Sequence, residues 1–229
     1  MILAFHSSPH PEGNLERIVH CVAQASGLEY EIIRLAEMEI APCTGCVRCA
    51  RSKRCVQQDD MAPLYQKLEA AKGLIVGGVN YNGRFNSIIH IFLERLFPLY
   101  HQEPALRGLP VAVVAVGGEE PERAGMDIAG YLKEVWMCTL VGTALFKSDT
   151  PPCFSCGLGP DCLVGMPALH WPKEEFEAFT AVKKKMFQRF EDNKDVVAGC
   201  ERLGQSLCIS VREGLSRPRS GGGYYLPFS

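Results

Sequence analysis

The feature that most limits how this chain can fold is a series of short apolar runs, most of which do not alternate with polar residues. Runs of this kind, rich in Val and Ile, are typical of strands in a parallel sheet that is covered on both faces. We assign five strands, at residues 2–5, 30–35, 74–79, 111–116 and 143–146. The second of them alternates, and the fifth is the weakest. The chain is therefore expected to form a sheet between two layers of helices.

Helical stretches separate the predicted strands. In the first, apolar residues recur at steps of three and four, and we expect Asn14 as its N-cap and Gly27 as its end. Others are predicted at 61–71, 87–97 and 127–137. With right-handed crossovers this alternation predicts an α/β fold, a doubly wound five-stranded parallel sheet in flavodoxin-like order. Such sheets bind ligands at the carboxyl ends of the strands, so the loops after the first, third and fourth strands form the expected site.

The length of 229 residues suits one domain with additional segments. We assign a flavodoxin-like domain to residues 1–149, including a cysteine-rich loop at 42–56, and a second cysteine-rich loop to 150–172. A C-terminal helical extension is expected at 173–215, mostly as one long helix, followed by a flexible tail at 216–229.

Charge and hydropathy exclude several classes of function. The 24 Lys and Arg residues against 26 Asp and Glu residues give a net charge of −2, so no nucleic-acid partner is expected. No apolar run approaches the roughly 18 residues of a membrane span, and no signal-like segment follows Met1. We therefore expect a cytoplasmic protein without a membrane partner. In that reducing compartment, clustered thiols among the 11 Cys residues indicate metal or redox chemistry.

Four cysteines after the second strand are the strongest chemical signal. Cys43, Cys46, Cys49 and Cys55 lie within thirteen residues, with gaps of two, two and five residues. Such close spacing allows one loop to wrap a compact inorganic cluster, and the basic residues among them favour thiolates. We favour a [4Fe-4S] cluster. A structural Zn²⁺ site, which four thiolates also satisfy, and cysteines without a metal are the alternatives.

A second cysteine group lies in a Gly- and Pro-rich segment that needs something to order it. Cys153, Cys156 and Cys162 are one ligand short of a closed metal site. The candidates for a fourth ligand are Cys138, Cys200, Cys208, Asp161 and His170. A second Fe–S cluster or Zn²⁺ site is as compatible with the sequence as a loop whose cysteines are buried or redox-labile.

The loop after the first strand has the composition of a phosphate cradle. Ser7 and Ser8 supply hydroxyls, and the turn through Gly13 and Asn14 leads into a helix N-terminus, where free N–H groups and the helix dipole favour an anion. An ordinary capped turn is the alternative interpretation.

The loops after the third and fourth strands are suited to a flat ring. Tyr81 follows a buried strand and is positioned to stack on such a ring, while the flexible backbone at Gly83 offers hydrogen bonds to its edge. A Gly-Gly pair after the fourth strand would close the third side of the pocket. The candidate lining residues are Asn80, Tyr81, Asn82, Gly83, Gly117 and Gly118. A surface Tyr and plain turns are the alternatives.

Together these motifs resemble the iron-sulfur flavoproteins, which belong to the NADPH-dependent FMN reductase group with a flavodoxin-like fold. The resemblance covers roughly residues 1–145 and rests on the Ser-Ser-Pro loop, the four-cysteine motif, and the strand at 74–79 followed by Tyr81 and Ser87. It implies FMN and a [4Fe-4S] cluster on the four clustered cysteines. It also implies homo-oligomers, dimers or tetramers, in which the cluster and the flavin of neighbouring subunits approach each other.

The chain departs from the family pattern at four positions. The family usually has Arg where this chain has His10 and a hydroxyl residue where it has Leu15, and both differences weaken the expected hold on phosphate. It usually has Pro at the position of Asn80 and Lys at that of His90. A different cofactor or a degenerate flavin site is therefore also compatible with the sequence.

We expect an electron-transfer oxidoreductase of the iron-sulfur flavoprotein type, in which FMN and the cluster exchange electrons without an acid or base from the protein. The phosphate is assigned to Ser7, Ser8, Gly13, Asn14 and Leu15. A small redox donor or acceptor, such as ferredoxin or NAD(P)H, is the expected partner. Two alternatives remain, an NAD(P)H-dependent FMN or quinone reductase with structural zinc and a cofactor-free, metal-stabilised interaction or sensor module.

Overall fold

A computed structural model describes residues 1–118 and 120–214, so the tail predicted at 216–229 lies outside the described residues. The strands are β1 (Ile2–His6), β2 (Tyr30–Arg34), β3 (Leu74–Tyr81), β4 (Arg84–Phe85), β5 (Pro110–Gly117) and β6 (Thr139–Lys147). The helices are α1 (Asn14–Ala25), α2 (Cys49–Ser52), α3 (Ala62–Ala70), α4 (Ser87–Glu94), α5 (Pro121–Gly130), α6 (Met166–His170), α7 (Lys173–Glu177) and α8 (Lys194–Arg212). Within this part of the chain, no helix combines the length and apolar character needed to cross a membrane.

Five strands form a parallel sheet in the order β2-β1-β3-β5-β6. Without the short β4, this is the flavodoxin-like order 2-1-3-4-5, so the predicted fold and strand order are confirmed. β1 and β5 are buried along their whole length, which explains their unbroken apolar sequences. The edge strands β2 and β6 are only partly buried. Partial burial explains why the sequence of β2 alternates and why the apolar run of β6 is weak.

The sheet is covered on both faces by separate apolar clusters. One cluster combines inward residues of the sheet with α3, α4 and α5, and the other combines them with α1 and α8. Glycines allow two close approaches. A side chain at Gly204 in α8 would meet the Val22 carbonyl oxygen of α1 at 2.3 Å, and one at Gly78 would meet Ile128 at 2.4 Å. The helices are therefore seated closely on the sheet and on each other.

The C-terminal region differs from the predicted single helix. Two helices, α7 and α8, are separated by residues 178–193, which contain only short turns. Asn193 is the N-cap of α8, and its side chain accepts hydrogen bonds from the N–H groups of Asp195 and Val196. α8 packs against α1, β5 and β6. The prediction of one helix was wrong because the Asn193 side chain caps a new helix start at Lys194, and the chain before it places Phe179 beside Phe154 and Phe190 in the cluster of α1 and α8.

Aromatic packing orders the segment that carries the second cysteine group. Phe154 lies about 6 Å from the rings of Trp171, Phe179 and Phe187, and Trp171 lies 5.3 Å from Phe179. These four rings form a small apolar centre outside the two main clusters. The segment at 150–172 is thus ordered by packing of its Phe154 and Trp171 against Phe179 and Phe187 of the following chain.

Candidate functional site

The predicted phosphate loop leaves the carboxyl end of β1 and lies against β3. The Ser7 N–H donates to the Gly77 carbonyl oxygen (3.0 Å), and the Ser8 hydroxyl donates to the His10 carbonyl oxygen (2.8 Å). Both serines are buried. A Cβ at Gly13 would lie 3.2 Å from Ser8 Oγ and 3.3 Å from the His10 carbonyl oxygen, so a side chain here would require its neighbours to shift by a few tenths of an ångström.

The helix that follows this loop begins one residue earlier than predicted. Gly13 is the N-cap of α1 and Asn14 is its first residue, so the assignment of Asn14 as N-cap was wrong. The tight approach of Gly13 to Ser8 allows the chain to turn into the helix there. Leu15 is buried, and a Cβ at Gly77 would lie 3.0 Å from its Cδ1. Only the backbone N–H of Leu15 is therefore suited to hold an anion.

The Asn14 side chain points towards the C-terminal region instead of the loop. Its Nδ2 donates to the Gln188 carbonyl oxygen (3.0 Å), and its Oδ1 accepts from the Phe190 N–H (3.1 Å) and from Arg17 (2.7 Å). Any phosphate contact at Asn14 would come from its backbone. The Glu16 carboxylate accepts a hydrogen bond from the Glu12 N–H (2.9 Å). This bond occupies one donor of the loop and places a negative charge beside the predicted phosphate site.

The loop after β3 is a tight hairpin that the sequence interpretation missed. β3 runs two residues further than predicted and pairs with β4, with Tyr81 opposite Arg84. Asn82 and Gly83 form the two-residue tip with φ of 53° and 76°. Asn-Gly with both φ angles positive is the preferred chemistry of this hairpin turn, so the dipeptide was the available signal. Tyr81 is 49% exposed at the hairpin, where it is accessible for stacking.

The loops after β3 and β5 contact each other closely. A Cβ at Gly117 would lie 2.6 Å from the Asn80 Cβ, so only glycine fits beside this asparagine. Asn80 Nδ2 donates to the Glu120 carbonyl oxygen (2.9 Å). Gly118 has more room, since its nearest neighbour is the Ser148 carbonyl oxygen at 3.4 Å. Asn80 therefore supports the Gly-Gly turn, and the structure brings both predicted loops to one edge of the sheet.

Asn86, which the sequence interpretation missed, joins these loops. It is the N-cap of α4, its N–H donates to the Val79 carbonyl oxygen (2.9 Å), and its Nδ2 donates to the Ser7 carbonyl oxygen (3.0 Å). Its Oδ1 is buried without a partner among the described residues. Both ring nitrogens of His6, immediately before the loop, are likewise buried and unpartnered within that part of the chain. Burial lowers the pKa of His6 and favours the neutral imidazole.

The four clustered cysteines line one open cleft of about 370 Å³. The other wall of the cleft comes from the end of α4 and the turn after it, with Glu94, Arg95, Phe97 and Pro98. Cys49 is buried, Cys55 is half-buried, and Cys43 and Cys46 are exposed. Gly45 and Val47 have positive φ angles of 64° and 55°. A left-handed conformation is strained for the β-branched Val47, and such strain is concentrated at functional loops.

The surroundings of these thiols differ. Hydrogen bonds from Arg48 and Thr44 lower the pKa of Cys46. Burial raises the pKa of Cys49, and the neighbouring Cys55, Cys43 and Cys46 add to the effect. Thiolates crowded around Cys49 would be held together more easily by a bound cation.

A buried ion pair closes the base of the cysteine loop, and the sequence interpretation missed it. Arg95 is the C-cap of α4, and its two terminal nitrogens donate to the two carboxylate oxygens of Asp59 at 2.6 and 3.0 Å. Asp59 also accepts from the N–H groups of Ala41 and Met61. Burial by itself would raise the pKa of Asp59, but these hydrogen bonds outweigh it and hold the pKa below its usual range. An arginine in the apolar run around α4 was the available signal.

The two parts of the site lie at opposite ends of α4. Asn86 at the N-terminal end contacts the phosphate loop, and Arg95 at the C-terminal end lines the cysteine cleft. The nine residue steps from Asn86 to Arg95 correspond to about 13 Å along the helix axis.

Within residues 1–118 and 120–214, no three His, Cys, Asp or Glu side chains are gathered closely enough to hold one metal ion. The four clustered cysteines thus line a cleft and do not surround a single metal-ion position.

In the second cysteine group, Cys153 and Cys162 are half-buried and Cys156 is exposed. Of the candidate fourth ligands, Cys138 and Cys200 are buried in the main apolar clusters. The second metal site stays a prediction.

Comparison with known proteins agrees with the arrangement of the first part of the chain. The sequence profile of the family described as NADPH-dependent FMN reductase matches residues 1–147. Proteins named iron-sulfur flavoprotein from Methanosarcina thermophila and Archaeoglobus fulgidus are 32% and 30% identical over 120 and 146 residues. These matches cover 51% and 60% of this chain and 63% and 64% of those proteins, so the chain spans slightly less than two thirds of their length.

Solved structures share the fold at low sequence identity. A flavone reductase superposes with a TM-score of 0.59 at 14% identity, covering 96% of this chain and 66% of that protein. The likeness extends over the C-terminal helix as well as the family region, and at this identity it concerns the fold alone.

Proposed function

Because this chain belongs to the NADPH-dependent FMN reductase family, a family of flavin oxidoreductases, we propose that it passes electrons between FMN and a [4Fe-4S] cluster. The observation that carries the proposal is the position of the four-cysteine cleft at one end of α4, with the loops at the carboxyl edge of the sheet at the other end. A flavin exchanges one or two electrons and such a cluster exchanges one, so the pair suits the coupling of hydride-type donors to single-electron carriers.

The loops at the edge of the sheet fit FMN in part. The backbone N–H groups at the start of α1 would hold the phosphate. The Ser8 hydroxyl would join them only by leaving the His10 carbonyl oxygen, and Ser7 is fully buried. Tyr81 would stack on the ring, and the backbone from Gly83 and from Gly117 to Gly118 would contact its edges. The unpartnered Oδ1 of Asn86 beside these loops is consistent with a ligand that supplies a donor. Glu16 places a negative charge beside the phosphate site, whereas Arg34, which donates to the Ser8 and Pro9 carbonyl oxygens, places a positive charge there.

The cysteine cleft fits an iron-sulfur cluster by its donor set. Cys43, Cys46, Cys49 and Cys55 supply four sulfur ligands from one short loop, and the relatives named iron-sulfur flavoprotein support this choice. Two of these cysteines are exposed, so the cluster would lie at the surface, where a partner can reach it. We propose that a small carrier such as ferredoxin, or NAD(P)H at the flavin, is that partner, and that the protein works as a homo-oligomer.

The test is the cofactor content of protein purified anaerobically. We expect about four iron atoms and about one FMN per chain, with flavin bands and a broad brown shoulder in the visible spectrum. Bound flavin with one zinc ion per chain would instead identify a reductase with structural zinc. Colourless protein that also fails to take up FMN and iron on reconstitution would contradict the proposal and favour an interaction module.

A further inference from the structure

Arg95 is a large, charged side chain in an otherwise apolar environment. It is 1% exposed and ends α4, whose inward residues Ile89, Phe92 and Leu93 are fully buried. Burying a guanidinium group is unfavourable unless its charge is paired and its N–H groups are used. Its contacts therefore show what the burial achieves.

Most of these contacts close the base of the cysteine loop. One terminal nitrogen donates to the Ala41 carbonyl oxygen (2.6 Å) and to Asp59 Oδ2 (2.6 Å), and the other donates to Asp59 Oδ1 (3.0 Å). Ala41 precedes the first cysteine and Asp59 follows the last one. One guanidinium group therefore holds both ends of the loop, which fixes the span over which the four thiols are distributed.

A further contact is with a thiol. The second terminal nitrogen lies 3.6 Å from Cys55 Sγ in hydrogen-bonding geometry, and Arg95 lines the same cleft as the four cysteines. Asp59 balances the charge of Arg95, so the effect on the sulfur is that of a directed N–H group more than of net charge. Hydrogen bonds to ligand sulfurs stabilise the more negative, reduced state of an Fe–S cluster and raise its reduction potential.

We propose that Arg95 is a positioning residue of the cluster site, which orients Cys55 and raises the reduction potential of the cluster through its N–H···S hydrogen bond. This inference rests on the proposed function, because it requires a cluster on the four cysteines. Loop closure by itself would require only the contacts of Arg95 with Asp59 and Ala41. The proposal adds a role for its contact with Cys55.

The experiment uses Arg95→Lys, with Arg202→Lys on the exposed side of α8 as the matched control. Lysine keeps the charge but cannot bind Asp59 bidentately and contact the sulfur at the same time. The proteins are reconstituted anaerobically, and the cluster is titrated with a redox mediator while its absorbance and EPR signal are recorded. At a fixed potential we expect a tenfold higher ratio of oxidised to reduced cluster in Arg95→Lys, a shift of about 59 mV for one electron. Arg202→Lys should titrate like the wild type.

If Arg95→Lys does not fold, a second variant is used instead. Asp59→Leu/Arg95→Met removes both charges together and leaves no unpaired ion. The same tenfold shift is expected in it. A wild-type ratio in whichever of the two variants retains iron would show that Arg95 only closes the loop. The positioning role of Arg95 would also be overturned if neither variant retained iron although the four thiols of its folded apoprotein were as reactive as in the wild type. Wild-type protein that takes up no iron would instead overturn the proposed function itself.

Discussion

The two ends of α4 are built on different principles. At the N-terminal end, main-chain hydrogen bonds set the loops, such as Ser7 to Gly77, Asn86 to Val79 and Ser148 to Gly117. At the C-terminal end, the cysteine loop contains one short helix and depends on side chains, chiefly Arg95 and Asp59. The N-terminal end, which is the proposed flavin end, is therefore held by the backbone of the sheet, whereas the C-terminal or cysteine end depends on a few polar contacts and on what binds the thiols.

The largest effect is expected from removal of one proposed cluster ligand. Cys46→Ala should abolish bound iron while FMN stays bound, because Cys46 is exposed and its loop lies at the far end of α4 from the flavin loops. Iron and FMN per chain are the measurement, and Cys21→Ala on α1, outside both cysteine groups, is the control. Unchanged iron in Cys46→Ala would mean that the ligands were chosen wrongly.

The next effect concerns the stability of the cysteine end. Asp59→Asn should lower the free energy of unfolding by about 3 kcal/mol, because it leaves the buried Arg95 charge without a counter-ion. Urea denaturation of the apoprotein measures it. As a control, Lys173→Ala breaks an exposed pair with Glu177 and should cost less than about 1 kcal/mol. Equal losses in both variants would refute the importance of the buried pair.

The same pair predicts the pH dependence of stability. Since the pKa of Asp59 is lowered in the folded protein, its contribution is fully present above the unfolded pKa, which is about 4, and is lost as pH falls through the lower, folded value. The wild-type apoprotein should therefore lose stability on acidification through this range. The loss should be smaller in Asp59→Asn. Parallel curves for the two proteins between pH 5 and pH 2 would contradict this assignment.

A smaller effect is expected at the proposed flavin end, where the loops after β3 and β5 contact each other closely. Gly117→Ala brings a Cβ within 2.6 Å of the Asn80 Cβ and should destabilise the protein by about 1–3 kcal/mol and weaken FMN binding. Gly118→Ala meets nothing closer than 3.4 Å and is the matched control for thermal stability. Thermal unfolding and FMN titration of both variants are the measurements. A Gly118 variant that loses as much as the Gly117 variant would show that space beside Asn80 is not the cause.

The smallest effect concerns the proposed stacking of Tyr81. Tyr81→Ala should weaken FMN binding about fivefold to tenfold, since one aromatic contact contributes about 1 kcal/mol. Tyr81→Phe keeps the ring and should bind FMN like the wild type. Fluorescence quenching of FMN measures both dissociation constants. If the two variants bind equally well, Tyr81 is only a surface residue of the hairpin.

The fold was predictable because its strands are apolar for a single reason, burial between two helical layers. Val111 to Val116 is an unbroken apolar run because β5 lies in the buried interior of the sheet. The loops at the sheet edge followed from the strand order. The hairpin at Asn82 and Gly83 was available from the sequence but missed, and the interruption between α7 and α8 was not, since it depends on where Phe179 and Phe190 pack.

The sequence by itself determined the parallel flavodoxin-like fold, the positions of the glycine-rich loops and the close spacing of four thiols, because periodicity and local spacing are properties of neighbouring residues. Only the tertiary structure decided that Arg95 pairs with Asp59 and contacts Cys55, that Asn86 joins the loops of β1 and β3, and that Asn14 turns towards Gln188. These contacts join residues 36, 40, 79 and 174 positions apart, and long-range packing, not local sequence, brings such residues together.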